Sequence, residues 1–150
     1  MEYSKIDKLG VNPSLLGFGC MRFPKKEDGT IDEVEAERML DHAIESGVTY
    51  IDTAYPYHDG ESEPFVGRVL KKYKRKDYYL ATKLPMFKID SLQQAKDIFE
   101  EQMKRLDVDY VDFYLLHALN KDTWKKVLDL NIIPYCEELK KQGRIKNFGF

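Results

Sequence analysis

Residues 48–60 read VTYIDTAYPYHDG and combine the strand and loop signals from which the fold is predicted. The β-branched and apolar run Val48–Ala54 predicts a short strand, and the proline and glycine that follow predict a loop. Before it, Ile31–Ser46 has apolar residues at helical spacing, with Asp32 as a plausible N-cap and Gly47 just after its end. The sequence therefore predicts a helix, a buried strand and a loop in succession.

The same cycle repeats along the chain. The predicted strands are Leu15–Met21, Val48–Ala54, Tyr78–Leu84, Val108–Leu116 and Arg144–Phe150. The predicted helices are Ile31–Ser46, one opened by Ser62, one capped by Ser91, and a fourth from Thr123 that is interrupted at Asn131 and restarts at Pro134. A short β-hairpin over Lys5–Asn12, with Gly10 in its turn, is expected before the first strand.

Strands that alternate with helices predict an α/β protein with a parallel sheet of right-handed βαβ units. A dinucleotide-binding doubly wound sheet would open its first helix with Gly-x-Gly-x-x-Gly, but Gly17-Phe18-Gly19 has no third glycine. An eight-stranded (β/α) barrel needs about 250 residues. On the residues alone, this 150-residue chain is either part of such a barrel or an unusual open sheet, and we expect residues 1–150 to form a single domain.

Composition excludes several classes of function. The formal charge of -2 offers no positive field for nucleic acid or an anionic membrane surface. Apolar runs end well short of the roughly 20 residues of a membrane span, and the chain start lacks the apolar core of a secretory signal. We therefore expect a cytoplasmic protein. Cys20 and Cys136, the two cysteines, have no spacing that fits a disulfide framework or a zinc module.

Three polar residues follow the predicted strands at nearly constant intervals. Asp52, Lys83 and His117 each stand at a carboxyl strand end, and Tyr57 lies in the loop after Asp52. Because the carboxyl ends of parallel strands share one mouth in these architectures, we expect the four side chains to lie together. Taken singly, each has an ordinary explanation, namely a loop cap for the aspartate, a surface lysine and a core histidine. Tyr55 competes with Tyr57 on composition alone.

Together these residue types suit the reduction of a carbonyl group. An ammonium beside a phenol stabilises the phenolate, and a carboxylate keeps the ammonium charged and oriented. The phenol then becomes a usable proton donor near neutral pH. A neighbouring histidine can hydrogen-bond the substrate oxygen and steer the carbonyl group toward a nucleophile.

Three spaced motifs carry a family resemblance: DTAYPY at 52–57 with GESE at 60–63, ATK at 81–83, and LLH at 115–117. They resemble the motifs of the aldo-keto reductase superfamily, from about residue 9 to the end of the chain. The segments 52–63 and 117–124 further resemble a bacterial subgroup whose longer members often carry a C-terminal ferredoxin-like iron–sulfur segment. The resemblance implies a partial TIM (β/α)8 barrel of about five parallel strands and four helices.

The resemblance also implies roles for individual residues. Tyr57 would be the general acid, Lys83 and Asp52 would tune it, and His117 would orient the carbonyl oxygen. The cofactor would be NADPH, with the nicotinamide approached by the backbone at Gly19, Cys20 and Met21 and its ribose by Asp52. The partner would be a small-molecule carbonyl substrate.

In the resembled family, the remaining cofactor contacts come from the second half of the barrel. Two alternatives to an active reductase therefore stay open. One is a regulatory or interaction protein on the same scaffold, because a fold does not fix a function. The other is a catalytically inactive truncated barrel, and open barrel edges predict self-association of such a chain.

Overall fold

A computed structural model describes residues 1–150 and contains five strands and five α-helices. The strands are β1 (Gly17–Gly19), β2 (Tyr50–Asp52), β3 (Tyr79–Pro85), β4 (Val111–His117) and β5 (Ile145–Gly149). The helices are α1 (Glu33–Glu45), α2 (Ser62–Leu70), α3 (Leu92–Leu106), α4 (Lys121–Asp129) and α5 (Ile132–Lys141). None of the helices combines the length and apolar character needed to cross a membrane.

The five strands form one parallel sheet in the order β1-β2-β3-β4-β5. Each strand therefore lies beside its neighbour in sequence, as in a (β/α) barrel, and β1 and β5 each pair on one side only. The register aligns the strand ends, because Gly19 lies opposite Asp52 and Pro85 lies opposite His117. The predicted partial barrel of five parallel strands is confirmed.

The predicted count of four helices is wrong, because the last helical region is two helices. Asn131 takes a left-handed conformation with a φ of 55°, and this breaks the chain between α4 and α5. Helix α5 starts at Ile132 rather than at Pro134. A proline is tolerated there because the first backbone N–H groups of a helix have no partner within it.

Helices α1 and α3 each begin directly after a residue whose side chain caps the helix N-terminus. The Asp32 carboxylate accepts a hydrogen bond from the backbone N–H of Glu35 (3.3 Å), and the Ser91 hydroxyl accepts one from that of Gln94 (3.2 Å). The N-terminal hairpin is also present, with antiparallel bridges between Ile6 and Val11 and between Tyr3 and Ser14. Local hydrogen-bonding chemistry therefore sets these boundaries.

The two faces of the sheet differ in burial. One face packs under the helices and is fully buried at Leu80, Leu84 and Tyr114. The other face is concave and carries the half-exposed rings of Tyr50 and Phe113, whose centroids lie 5.2 Å apart. Successive strand residues point to opposite faces, so the polar residues of the site lie on the concave side.

Helices α2 and α3 approach each other closely at Gly67. A Cβ atom at this position would lie 2.6 Å from the carbonyl oxygen of Leu106 and 2.8 Å from that of Arg105. Both neighbours are backbone atoms, which cannot rotate away. The glycine is therefore required by helix packing.

We expect Gly67→Ala to lower the free energy of unfolding by about 1–3 kcal/mol, because the added methyl group pushes α2 away from α3. Urea denaturation measures this. Gly149→Ala is the matched control, since its Cβ would meet only ordinary contact at 3.7 Å from Leu115. Equal stability of the two variants would contradict the role given to the close helix approach.

Candidate active site

The carboxyl ends of β2, β3 and β4 bring the predicted site residues together. Asp52 ends β2, Lys83 lies near the end of β3, and His117 ends β4. Tyr57 begins a short 3-10 turn between β2 and α2. All four side chains lie at the same end of the sheet, as the strand spacing predicted.

The Lys83 ammonium is the centre of the site. Its Nζ donates to Asp52 Oδ1 (2.6 Å), to the backbone carbonyl of Thr53 (2.8 Å) and to the Tyr57 hydroxyl (3.1 Å). Only 13% of the Lys83 side chain is exposed, against 26% for Asp52. An ammonium group with so little solvent exposure needs a protein acceptor for each of its three N–H bonds, and Lys83 has three such acceptors.

His117 completes the group through ring contacts. Its imidazole packs edge to face against the Tyr57 ring and against the Phe87 ring, with centroids 5.7 Å away in both cases. Burial, and then the positive charge of Lys83, lower the pKa of His117 below 6.5, while Asp52 opposes the shift. The imidazole is therefore neutral at neutral pH and can donate one hydrogen bond.

The structure distinguishes the two competing tyrosines. The Tyr55 hydroxyl donates to the Glu101 carboxylate on α3 (2.8 Å), and the Arg105 guanidinium lies over the Tyr55 ring at 4.2 Å. Burial and the Glu101 carboxylate raise the pKa of Tyr55. Tyr55 is thus engaged with helix α3, whereas Tyr57 contacts Lys83.

The predicted cofactor-side residues lie beside Asp52. Gly19 is exposed, and a Cβ atom added there would meet no atom within 4 Å, so a flat group can approach the backbone. Met21 is 57% exposed. The Cys20 side chain is fully buried, and burial raises the pKa of its thiol. Cys20 therefore offers only its backbone, and that carbonyl accepts a hydrogen bond from the Ser62 hydroxyl (3.2 Å).

Comparison with known proteins identifies the family. A model of the "Aldo/keto reductase family" matches residues 15–150. The chain belongs to the aldo/keto reductase family. It is 34% identical to "Aldo-keto reductase YhdN" of Bacillus subtilis over 125 residues, covering 78% of this chain and 38% of that protein. It is 32% identical over 158 residues to "Uncharacterized oxidoreductase YqkF" of the same organism, covering 99% of this chain and 48% of that protein.

Solved structures show the same relationship. The chain superposes on the holo form of the aldo-keto reductase AKR11C1 from Bacillus halodurans with a TM-score of 0.80 and 34% sequence identity. The match covers 99% of this chain and 49% of that one. The chain thus spans less than half the length of the curated relatives it matches. The family resemblance and the partial barrel are both confirmed.

A buried polar network behind the site of this aldo/keto reductase chain was not predicted. Gln102 Nε2 on α3 lies within hydrogen-bond distance of Glu63 Oε1 (2.8 Å), the Thr82 hydroxyl (3.0 Å) and the carbonyl of Lys83 (3.1 Å), and its two N–H bonds are shared among these three acceptors. Its Oε1 accepts from the Tyr114 hydroxyl (2.8 Å). Glu63, Thr82, Gln102 and Tyr114 are all fully buried. The network therefore holds the backbone of Lys83 from the helix side of the sheet.

Two sequence signals point to this network. Gln102 falls on the apolar face of α3, three residues after the buried Phe99 and four before the buried Leu106. Thr82 alternates with Lys83 along β3 and so faces the helices. The position of Glu63 in the first turn of α2 gave the opposite indication, because an acidic residue there is commonly exposed near the helix dipole.

Replacing Gln102 with the similarly shaped Met should lower the free energy of unfolding by about 2–4 kcal/mol, because several buried polar groups lose their partner. Thermal and urea unfolding measure the loss. Gln93→Met on the exposed face of the same helix is the control and should change stability by about 0.5 kcal/mol or less. A Gln102 variant as stable as the control would show that the network adds nothing to the fold.

Proposed function

We propose that this chain is the N-terminal part of an NADPH-dependent oxidoreductase that reduces aldehydes or ketones, with Tyr57 as the general acid. The observation that carries the proposal is the Lys83 ammonium, which bonds Asp52, the Thr53 carbonyl and the Tyr57 hydroxyl at once. Membership of an oxidoreductase family supports it. Both the acid and the group that stabilises its conjugate base are present within this chain.

Tyr57 donates its proton to the oxygen of the substrate carbonyl group. The phenolate that remains faces Lys83 Nζ at 3.1 Å, and the positive charge stabilises it. Asp52 balances that charge and, with the Thr53 carbonyl, fixes the direction of the ammonium. General acids of this kind contribute about 10²–10⁴-fold to a rate.

His117 orients the substrate. The neutral imidazole beside the Tyr57 ring can donate a hydrogen bond to the same carbonyl oxygen. An imidazolium would instead add a second cation near Lys83. The depressed pKa of His117 thus suits it for holding the carbonyl group while the tyrosine delivers the proton.

The residues at the end of β1 fit the nicotinamide side of a cofactor. Gly19 leaves its backbone open, Met21 is exposed beside it, and the Asp52 carboxylate is accessible for a ribose hydroxyl. When bound, NADPH supplies the hydride that adds to the carbonyl carbon. The choice of NADPH over NADH rests on the family resemblance.

A second candidate is an inactive half-barrel that self-associates, and the half-exposed concave face favours it. The Tyr50, Tyr79 and Phe113 rings line this face, and Phe150, the residue after β5, is 86% exposed. Strands β1 and β5 each leave one edge unpaired. Apolar surface and free edges of this kind favour association. The regulatory alternative has no such observation behind it.

Tyr57→Phe should reduce carbonyl turnover by about 100-fold or more, because the variant lacks only the proton donor. NADPH fluorescence titration of the 150-residue chain should show saturable binding that the variant retains. Tyr55→Phe is the matched control, since it removes a neighbouring hydroxyl that bonds Glu101 instead. Full turnover by Tyr57→Phe would refute the assigned acid, and absent NADPH binding would favour the inactive half-barrel.

The self-association proposal predicts a molar mass above 17.6 kDa for the chain of residues 1–150. Light scattering after size exclusion measures it over a range of concentrations. Phe113→Ser places a polar group on the concave face and should shift the distribution toward the monomer. A monomer at all concentrations would contradict association through this face or the free edges.

A further inference from the structure

The turn that follows Tyr57 has an uncommon backbone. His58, Asp59 and Gly60 all take left-handed conformations, with φ values of 52°, 57° and 97°. For the two residues with side chains this region is disfavoured, so the surrounding contacts must hold it. The proposed general acid therefore depends on a turn that tertiary contacts stabilise.

His58 makes the contacts that hold this turn. Its Nε2 accepts a hydrogen bond from the backbone N–H of Phe23 (3.2 Å), and its imidazole packs on the Phe23 ring with centroids 5.6 Å apart. The Phe23 ring in turn meets the Phe65 ring edge to face at 5.0 Å. His58 Nδ1 is buried without a hydrogen-bond partner. The side chain thus joins the loop after β2 to the loop after β1.

The segment that His58 contacts is the cofactor side of the proposed site. Phe23 directly follows the 3-10 turn Cys20–Arg22, which contains Met21. Cys20 starts this turn and accepts a hydrogen bond from Ser62 on α2 (3.2 Å). His58 is also the chain neighbour of Tyr57. One side chain therefore connects the proton donor to the backbone expected beside the nicotinamide.

We propose that His58 is a positioning residue, whose neutral Nε2 binds the Phe23 N–H and thereby fixes the Tyr57 turn against the Cys20–Arg22 turn. It contacts neither the reacting atoms nor Lys83 and acts through Tyr57. Protonation of Nε2 replaces the acceptor with a donor that faces another donor. The connection between the two loops therefore opens in acid. This inference rests on the proposed function of Tyr57.

Burial is the main factor that favours the neutral form of His58. Burial, and then Lys25, lower the pKa of His58, while Asp59 and the carbonyl groups of Met21 and Cys20 oppose the shift. His58, Asp28 and Glu61 all line one surface depression of about 330 Å³. A histidine with a lowered pKa stabilises the fold above its ordinary value of 6.5, and this contribution disappears as the pH falls through the folded-state pKa.

The Phe23 amide reports the contact directly, without cofactor or substrate. Two-dimensional ¹⁵N–¹H NMR of the whole chain should show its shift following the His58 titration below pH 6.5. His58→Gln keeps a hydrogen-bond acceptor that does not titrate, so the chemical shift of the Phe23 amide should not change with pH in this variant. His58→Phe keeps the ring without the acceptor, and the hydrogen-exchange protection of Phe23 should fall by about tenfold or more at all pH values.

The Tyr57 ring signals separate a positioning role from a merely structural one. They should shift in His58→Phe and in wild-type protein in acid, and they should return to wild-type values in His58→Gln. Turnover should show the same pattern, with kcat reduced in His58→Phe and restored in His58→Gln. A Phe23 amide insensitive to His58 titration would overturn the proposal, as would unchanged Tyr57 signals in His58→Phe.

The result remains separable from the test of the catalytic acid. Failure of NADPH binding or of the Tyr57→Phe prediction would leave the Phe23 and Tyr57 signals as the test of the His58 contact. If His58→Phe does not fold, the wild-type titration compared with His58→Gln still decides the question. A His117→Gln chain should retain the Phe23 titration, which assigns the effect to His58.

Discussion

The site depends on one constraint: an ammonium that is largely removed from water must find acceptors within the protein. Lys83 finds all three in one segment, at Asp52, Thr53 and Tyr57. Because Lys83 lies on β3 and its acceptors lie at the end of β2 and just after it, satisfying the ammonium also holds the turn between β2 and α2 against the end of β3. The contacts that satisfy the ammonium thus also position Tyr57, the proposed proton donor, so loss of the lysine would release the tyrosine as well.

The strand register joins this interaction to the stability of the fold. Along β3, Thr82 faces the helices and contacts Glu63 and Gln102, while the next residue, Lys83, faces the concave side. A shift of one residue in the pairing register of β3 would exchange the faces of Thr82 and Lys83, and it would place the Lys83 ammonium in the apolar layer between the sheet and the helices. The buried network therefore selects the register that the site requires. Gln102 adds to this by binding the carbonyl of Lys83 itself.

The sequence predicted those parts of the structure that local rules determine. Helices α1 and α3 have apolar periodicity and side-chain caps at Asp32 and Ser91, and both start directly after the capping residue that was predicted. The break between α4 and α5 at Asn131 was only partly visible, because left-handed asparagine is common in turns as well as at helix boundaries. All strands except β3 were predicted too long, because pairing with neighbouring strands, rather than composition, decides how many residues join the sheet; β2 pairs over three residues.

Spacing predicted that four side chains would meet, but it could not show how they interact. The choice of Tyr57 over Tyr55 depends on which hydroxyl reaches Lys83, and a left-handed turn at His58 and Asp59 directly follows Tyr57. Such a turn is set by tertiary contacts with Phe23, 35 residues away in the sequence. The residues proposed to donate the proton and to support its transfer therefore come from three consecutive βα units. The Phe23–His58 contact then joins the turn after β1 to this part of the site.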